Sequence, residues 1–333
     1  MKLLRWIRVL GAVALGMGAA AGWAESGSDL RGCGASALPR VSFVQFSSPN
    51  IATSPPSLLT IKGKLSLPAR HAAAGDARHG HEHDCSGGPQ RKLPAVLILH
   101  GSSGVDARGD FHEAALNAAG IATLQIDMWE ARGVASAAQR PKAPILTLPD
   151  AFSALAFLAA RDEIDPDRIG VLGFSWGGVN TMAAAERLYV GMFGGGRQFK
   201  AHVAHYPVCY AYNNPVPGLP PPAQMGTQFL HLTGAPMLIQ VGSLDGYDNG
   251  AAHCRTLARS VNAGNVNGVT VTEVRGAHHA FDRLMVPIVV NDPFGSEGSF
   301  FATGVVPPVT LAPDVAQAQA ARERLVRFFR RNL

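Results

Sequence analysis

A serine between two glycines is the residue of this sequence best suited to covalent chemistry. Ser175 lies in the stretch Gly173-Phe174-Ser175-Trp176-Gly177, which has the pattern Gly-x-Ser-x-Gly. The pattern directly follows a run that predicts a strand and directly precedes a run that predicts a helix. A sharp turn between a strand and a helix lifts a serine hydroxyl above a sheet, and glycines leave room for the two elements to cross. This context predicts a nucleophilic serine rather than an ordinary glycine-rich turn.

A serine hydroxyl is a weak nucleophile unless a base removes its proton, so a histidine and a carboxylate should accompany it. When a nucleophile stands in this strand–turn–helix setting, the acid and then the histidine follow it along the chain. Asp245 follows the predicted strand 237–241 and is the predicted acid. Asp248 is the rival, which we expect to cap the next helix instead. His278 and His279 both follow the last predicted strand, and the residue types alone do not separate them.

Acyl transfer through a serine also needs donors for the negatively charged oxygen of the tetrahedral intermediate. The backbone N–H group of Trp176, directly after the nucleophile, is one predicted donor. The second is the N–H group of Ser102, in the glycine-rich turn His100-Gly101-Ser102-Ser103-Gly104 after another predicted strand. A simple turn is the alternative for that stretch.

Eight predicted strands and five predicted helices have to position these residues. Apolar, β-rich runs between turn residues predict strands at 41–47, 58–67, 95–100, 121–126, 168–172, 201–206, 237–241 and 269–274. Helical patterns lie at 111–119, 148–161, 179–188, 249–261 and 314–331. Strand and helix alternate from about residue 94, which predicts a mostly parallel sheet with helices on both faces. The first two strands have no helix between them and are predicted as antiparallel strands at one edge.

Residues 1–24 have the features of a signal peptide, because Lys2, Arg5 and Arg8 precede an apolar stretch and small residues surround a cleavage point after Ala24. The stretch is short for a spanning helix, so we expect cleavage, a periplasmic or secreted protein, and no stable membrane anchor. Without the three basic residues the formal net charge falls from +5 to +2, which indicates no nucleic-acid partner. Residues 25–333 are predicted to form a single domain.

Three segments depart from the alternation of strands and helices. They are predicted as a surface insertion at 69–92 and as long loops at 207–235 and 282–313. The insertion is rich in histidine, and closely spaced imidazoles can bind zinc, copper or nickel. Its glycine- and alanine-rich context gives no rigid geometry, so a surface loop is the favoured interpretation. The predicted Ser-Asp-His set needs no metal or other cofactor, and none is expected in catalysis.

In combination these motifs resemble the dienelactone hydrolase family of α/β-hydrolases over about residues 55–333. The matching stretches lie at 100–104, 127–133, 173–178, 244–246 and 276–282. The resemblance implies an α/β-hydrolase fold. It also implies His279 rather than His278 as the base, because the catalytic histidine of the family directly precedes Ala-Phe. The name-giving enzymes use a cysteine nucleophile, whereas Ser175 implies a serine esterase that acts on small ester, lactone or thioester substrates.

Other side chains near the predicted site are candidates for lining a substrate pocket. They are Arg132, Tyr206 and Tyr210, in addition to Trp176. Arg132 could bind a substrate carboxylate, although bracing of its own loop is the favoured alternative. The same nucleophile, acid and base could also serve a peptidase or a polyester hydrolase. A non-catalytic ligand- or metal-binding protein on this fold is the alternative from a different functional class.

Four cysteines permit two disulfides in an oxidising compartment. Cys209 follows a predicted strand and Cys254 lies in the predicted helix after Asp245, and both strands end at the same rim of the sheet, so we expect a bond between them. Exported proteins that resemble this chain carry a cysteine at both places, which supports the pairing. Two buried free thiols are the alternative. Cys33 and Cys85 would form a second pair or remain thiols.

Overall fold

The computed structural model of the chain describes residues 38–69, 92–213, 231–264 and 268–333. The predicted signal peptide, nearly all of the histidine-rich insertion and most of the predicted loop 207–235 lie outside these ranges, as do Cys33 and Cys85. Of the helices within the described ranges, none combines the length and the apolar character that a bilayer crossing demands.

One large sheet organises the described residues. Its strands are β1 (Arg40–Asn50), β2 (Ser57–Leu67), β3 (Leu93–Leu99), β4 (Ala122–Asp127), β5 (Ile164–Phe174), β6 (Ala201–His205), β7 (Met237–Leu244) and β8 (Val269–His278), in the spatial order β1-β2-β4-β3-β5-β6-β7-β8. β2 pairs antiparallel with both β1 and β4, and all other neighbours are parallel. The predicted mostly parallel sheet, with an antiparallel pair at one edge, is confirmed.

Helices connect the parallel strands. The α-helices are α1 (Ala107–Ala118), α2 (Leu148–Ala159), α3 (Trp176–Ala183), α4 (Arg187–Phe193), α5 (Tyr210–Asn213), α6 (Ala252–Gly264), α7 (Gly295–Gly298), α8 (Phe300–Thr303) and α9 (Val315–Asn332), and short 3₁₀ helices span Glu130–Arg132, Ala137–Gln139 and Pro144–Thr147. α7 is a single irregular turn, because Ser296 and Glu297 inside it have positive φ angles. The five predicted helices correspond to α1, α2, α3 with the start of α4, α6 and α9.

Two apolar clusters cover the two faces of the sheet. Along β3, side chains alternate between them: Ala95, Leu97 and Leu99 belong to one cluster, and Val96 and Ile98 belong to the other. Strands of a parallel sheet bury both faces in this way. The first cluster also contains buried residues of α2, α3 and α6, and the second contains those of α1 and α9. Helices therefore pack on both faces, as the alternation in the sequence predicts.

The predicted helix 179–188 is wrong as a single element. The chain leaves the helical path between α3 and α4, at residues 184–186. There the carbonyl oxygen of Ala185 accepts a hydrogen bond of 2.9 Å from the N–H group of Thr233. The carbonyl group of Ala185, which would accept a hydrogen bond within a continuous helix, thus accepts one from a distant segment. The helical periodicity of a local sequence cannot reveal such a partner.

The segment 282–313, predicted as a long loop, contains short elements. β9 (Ile288–Asn291) and β10 (Pro308–Leu311) form an antiparallel pair, with α7 and α8 between them. Val309 and Leu311 of β10 are buried in the second apolar cluster, and Leu311 also bridges to His279. The strand β10 has only four residues, but its apolar side chains pack beside the end of β8 and hold this segment there.

Candidate active site

A strained turn between β5 and α3 places Ser175 at the end of the sheet. Ser175 has a φ of 49° and a ψ of −108°, a conformation that residues with side chains rarely adopt. A Cβ atom on Gly173 would lie 2.1 Å from the carbonyl oxygen of Gly177, and one on Gly177 would lie 2.3 Å from that of Leu99. Both glycines of the motif are therefore required by the close crossing of β5, β3 and α3.

Ser175, His279 and Asp245 form one line of hydrogen bonds. The Nε2 atom of His279 lies 3.0 Å from Oγ of Ser175, and its Nδ1 atom lies 2.8 Å from Oδ2 of Asp245. Asp245 directly follows β7 and His279 directly follows β8, so the carboxyl ends of parallel strands bring them together. His278, by contrast, ends β8 and pairs with Leu244. With the proton of Nδ1 held by the carboxylate, Nε2 can accept the proton of the serine hydroxyl.

Asp248 has a different partner from the one expected. Its two carboxyl oxygens accept hydrogen bonds of 2.7 Å from the N–H groups of Cys209 and Tyr210, so it holds the start of α5 instead of capping α6. Burial, and then the nearby charge of Asp245, raise the pKa of Asp248 to about 8. Of the two candidate acids, only Asp245 is bonded to an imidazole in the described ranges.

The two predicted oxyanion donors border the same cleft as Ser175. The indole N–H group of Trp129 donates to the carbonyl oxygen of Ser102 over 3.2 Å and fixes that turn. The backbone N–H groups of Ser102 and Trp176 have no hydrogen-bond partner within the described part of the chain.

A cleft that opens to solvent lies beside Ser175. Its walls are mainly apolar, and its charged residues are Arg140, Lys142 and Asp292. The lining residues are Ser102, Arg140, Lys142, Ala143, Pro144, Ile145, Ser175, Trp176, Val179, Val208, Ala211, Tyr247, Asp292 and Phe294. Of the predicted pocket residues, Trp176 alone is among them.

An ion pair that the sequence analysis missed lies in this cleft. The Nη2 atom of Arg140 donates to Oδ2 of Asp292 over 2.7 Å, and the hydroxyl group of Tyr247 donates to the same oxygen over 3.1 Å. The guanidinium group lies 5.7 Å from the ring centre of Trp176 and 5.8 Å from that of Phe294. No motif marks these residues, and only the position of Tyr247, two residues after the predicted acid, could have pointed to it.

Arg132 and Tyr210, both predicted for the pocket, lie outside the cleft lining. The guanidinium group of Arg132 donates two hydrogen bonds to Asp150, of 2.6 and 3.2 Å, and a third to the carbonyl oxygen of Met128. Arg132 thus holds its own loop through these hydrogen bonds, which agrees with the favoured alternative to binding a substrate carboxylate. The hydroxyl group of Tyr210 donates to the carbonyl oxygen of Phe294 over 2.9 Å.

Tyr206, the third predicted pocket residue, lies beneath the predicted base. Its ring centre is 4.6 Å from that of His279, and its hydroxyl group donates to Asp282. The other oxygen of Asp282 lies 2.8 Å from a ring nitrogen of His112 and 2.8 Å from one of His205. Burial alone would raise the pKa of Asp282, but these hydrogen bonds hold it well below its usual value. A buried, ionised carboxylate thus anchors the loop that carries His279.

A disulfide joins Cys209 and Cys254, whose Cα atoms are 5.0 Å apart. This confirms the predicted pairing and excludes two free thiols at these positions. The bond links the residue before α5 to α6, next to the backbone groups that Asp248 holds.

The chain is similar to known proteins in part of its sequence and in its fold. A model of the prolyl oligopeptidase family matches residues 138–214, which include Ser175. A search among curated proteins finds no match. Known structures, however, are similar over most of the chain. A dienelactone hydrolase from Anabaena variabilis is 17% identical, and the match covers 89% of this chain and 99% of that one with a TM-score of 0.50.

Two esterases are similar to the same extent. Esterase 2 of Thermogutta terrifontis, phosphorylated by paraoxon, is 14% identical, with 86% of this chain and 92% of that one covered and a TM-score of 0.53. An esterase of Pyrobaculum calidifontis is 15% identical, with coverages of 88% and 83% and a TM-score of 0.50. Together with the sheet order, these likenesses show that the chain has the α/β-hydrolase fold.

Proposed function

We propose that the chain is a serine hydrolase that cleaves carboxylic ester, lactone or thioester bonds. Ser175 attacks the carbonyl carbon while Nε2 of His279 takes the hydroxyl proton, and Asp245 orients the imidazole. His279 then returns the proton to the leaving alcohol or thiol. Water, deprotonated by the same imidazole, releases the acid from Ser175. The observation that carries the proposal is the unbroken line of hydrogen bonds through these three side chains.

The cleft supplies the other requirements of acyl transfer. The backbone N–H groups of Ser102 and Trp176, which have no partner among the described residues, can stabilise the oxyanion of the tetrahedral intermediate. The mainly apolar walls favour a small ester with an apolar acyl or alcohol group. Esterases and a dienelactone hydrolase are among the proteins of similar structure, which supports an ester substrate.

Peptide-bond hydrolysis by the same three residues is the second candidate. The match of residues 138–214 to the prolyl oligopeptidase family favours it specifically. Hydrolysis of p-nitroanilides of short peptides, compared with p-nitrophenyl esters, separates the two activities. We expect turnover of the esters and little turnover of the anilides.

Labelling with a fluorophosphonate probe tests the mechanism directly. We expect the chain to be labelled at Ser175 and to hydrolyse p-nitrophenyl esters, with a preference that a series of acyl chain lengths and lactones would define. Ser175→Ala should lose both properties and keep its melting temperature. An unlabelled, inactive parent chain that binds ligands or metal ions would instead identify a non-catalytic binding protein.

The proposal extends to location and processing. The disulfide and the features of residues 1–24 support export, with cleavage after Ala24 and a single domain from residue 25 onward. N-terminal sequencing of the protein from the periplasmic or culture fraction of an expressing bacterium tests this. A retained Met1 on the active protein would contradict it.

A further inference from the structure

The imidazole of His279 contacts two tyrosine rings. Its ring centre lies 4.6 Å from that of Tyr206 and 4.4 Å from that of Tyr247, and both contacts are inclined rather than parallel. Both hydroxyl groups donate to buried carboxylates, Asp282 for Tyr206 and Asp292 for Tyr247. Two anchored rings therefore restrict the orientation of the predicted base.

Tyr247 makes three different contacts with the site. Its backbone N–H group donates to Oδ1 of Asp245 over 2.9 Å, and its ring faces His279. Its hydroxyl group donates to Asp292 over 3.1 Å. Burial, and then the charge of Asp292, raise the pKa of Tyr247 well above its usual value, so the hydroxyl group remains a donor. One residue thus touches the predicted acid, the predicted base and the cleft wall.

Asp292 is in turn fixed by a residue from a distant part of the chain. Arg140, 152 positions away, donates to it over 2.7 Å, and the side chains of Arg140 and Asp292 are only 13% and 8% exposed. The N–H group of Phe294 holds the other oxygen of Asp292 over 3.0 Å. The carboxylate that receives the hydroxyl group of Tyr247 is consequently held from two sides.

We infer that Tyr247 is a positioning residue for His279, and that the ion pair of Arg140 and Asp292 keeps it in place. During acylation the imidazole becomes a cation and must keep its alignment with Oγ of Ser175. A tyrosine ring whose centre lies 4.4 Å from that of the imidazole restrains its rotation, and the π-electrons of the ring attract the positive charge. The inference rests on the proposed function, because it assigns a role only if His279 acts as the base.

Steady-state hydrolysis of a p-nitrophenyl ester by four variants tests the inference. Tyr247→Phe keeps the ring and loses the tether, and should lower kcat by about 5- to 20-fold with KM changed by less than about threefold. Asp292→Ala should have a similar effect on kcat. The double variant should be no worse than about twofold below Tyr247→Phe, because both changes break one connection. Asp292→Asn, which can still accept the hydroxyl hydrogen bond, should recover most of the kcat that Asp292→Ala loses.

Tyr210→Phe is the matched control. It removes a hydroxyl group that is anchored on the carbonyl oxygen of Phe294, in the same segment as Asp292, but it does not touch His279. Its kcat should stay within about twofold of the parent, and melting temperatures show that every variant is folded.

The outcomes separate the inference from the proposed function. If the parent chain hydrolyses esters and Ser175→Ala does not, an unchanged kcat in Tyr247→Phe, an effect confined to KM, or additive effects in the double variant overturn the inference alone. A parent chain without activity or fluorophosphonate labelling overturns both.

Discussion

The Oδ2 atom of Asp245 lies 2.8 Å from Nδ1 of His279, across 34 positions of sequence. Asp248 is equally buried and only three residues further on, yet its oxygens face the backbone of residues 209 and 210. Two neighbouring carboxyl groups therefore have separate tasks: one orients an imidazole and the other fastens the start of a helix.

Asp248 should make folding stability depend on pH. Its pKa is about 8 in the folded chain, whereas an unfolded aspartate has a pKa of about 3.9. Between these values the folded chain keeps a proton that the unfolded chain has released. The free energy of unfolding therefore falls as pH rises from about 4 to about 8. Asp248→Asn cannot titrate. Its melting temperature relative to that of the parent should therefore rise between about pH 5 and about pH 8.

Thermal melts in buffers across that interval check the prediction. The exposed Asp167→Asn is the control, and its melting temperature should follow that of the parent at every pH. A difference between Asp248→Asn and the parent that does not change with pH would show that Asp248 is ionised throughout.

The assignment of the base predicts an asymmetry between adjacent histidines. His279→Ala should lower kcat by on the order of 10⁴, because Ser175 loses its proton acceptor. His278→Ala should stay within a few-fold of the parent. Asp245→Asn should also cost on the order of 10⁴, because an amide no longer holds the imidazole in the required tautomer. The kcat of each variant with one p-nitrophenyl ester tests the assignment. An inactive His278→Ala together with an active His279→Ala would identify His278 as the base instead.

Arg132 should be a stability residue. Asp150 is fully buried, burial raises its pKa, and Arg132 and Ser48 are the partners that favour its ionised form. Arg132→Ala removes the countercharge and should lower the free energy of unfolding by about 3–5 kcal/mol. Denaturant unfolding measures this loss of stability. The KM of Arg132→Ala should equal that of the parent, both for esters that carry a carboxylate and for esters that do not. A selective rise in KM for carboxylate-bearing esters, at unchanged stability, would restore Arg132 to the binding site.

The disulfide should contribute substantially to stability. A bond that closes a 45-residue loop lowers the entropy of the unfolded chain by an amount worth roughly 4 kcal/mol. The double variant Cys209→Ser and Cys254→Ser should unfold at correspondingly lower denaturant concentration than the parent under non-reducing conditions. With a reductant present, the difference should largely disappear. Peptide mapping that joins Cys209 to Cys33 or Cys85 would contradict the pairing.

The sequence was sufficient to predict all eight strands of the large sheet. The central strands of a parallel sheet are continuous apolar runs, and the antiparallel β1 and β2 are β-rich runs bounded by turn residues. It failed where a distant segment supplied the hydrogen bonds, as at the break between α3 and α4. It also failed for β9 and β10, which have only four residues each: β9 pairs with β10, and Leu311 of β10 bridges to His279, directly after β8. Periodicity indicates which face of a helix or strand is apolar, but it does not identify a contact with residues that are distant in sequence.

The same limit applies to the site. Ser175 and Asp245 follow strands in a fixed order, so their residue types and positions were enough to predict them, whereas the choice of His279 over His278 came from the family resemblance. Arg140 and Asp292 stand in irregular segments 152 positions apart, and their pairing depends on how two loops meet over the cleft. Tyr206, predicted as the last residue of a strand, directly follows β6 with a positive φ of 39°, and its hydroxyl group donates to Asp282 outside the cleft lining.

The Arg140–Asp292 pair also bears on the ionic conditions under which the cleft keeps its shape. At 0.1 M salt, mobile ions largely screen attractions between exposed charges that are more than about 10 Å apart, but they screen buried pairs much less. Here the two charges are covered by Trp176, Phe294 and Tyr247. The Arg140–Asp292 contact is therefore shielded from ions in solution, and the shape of the cleft around it should be the same at low and at high salt.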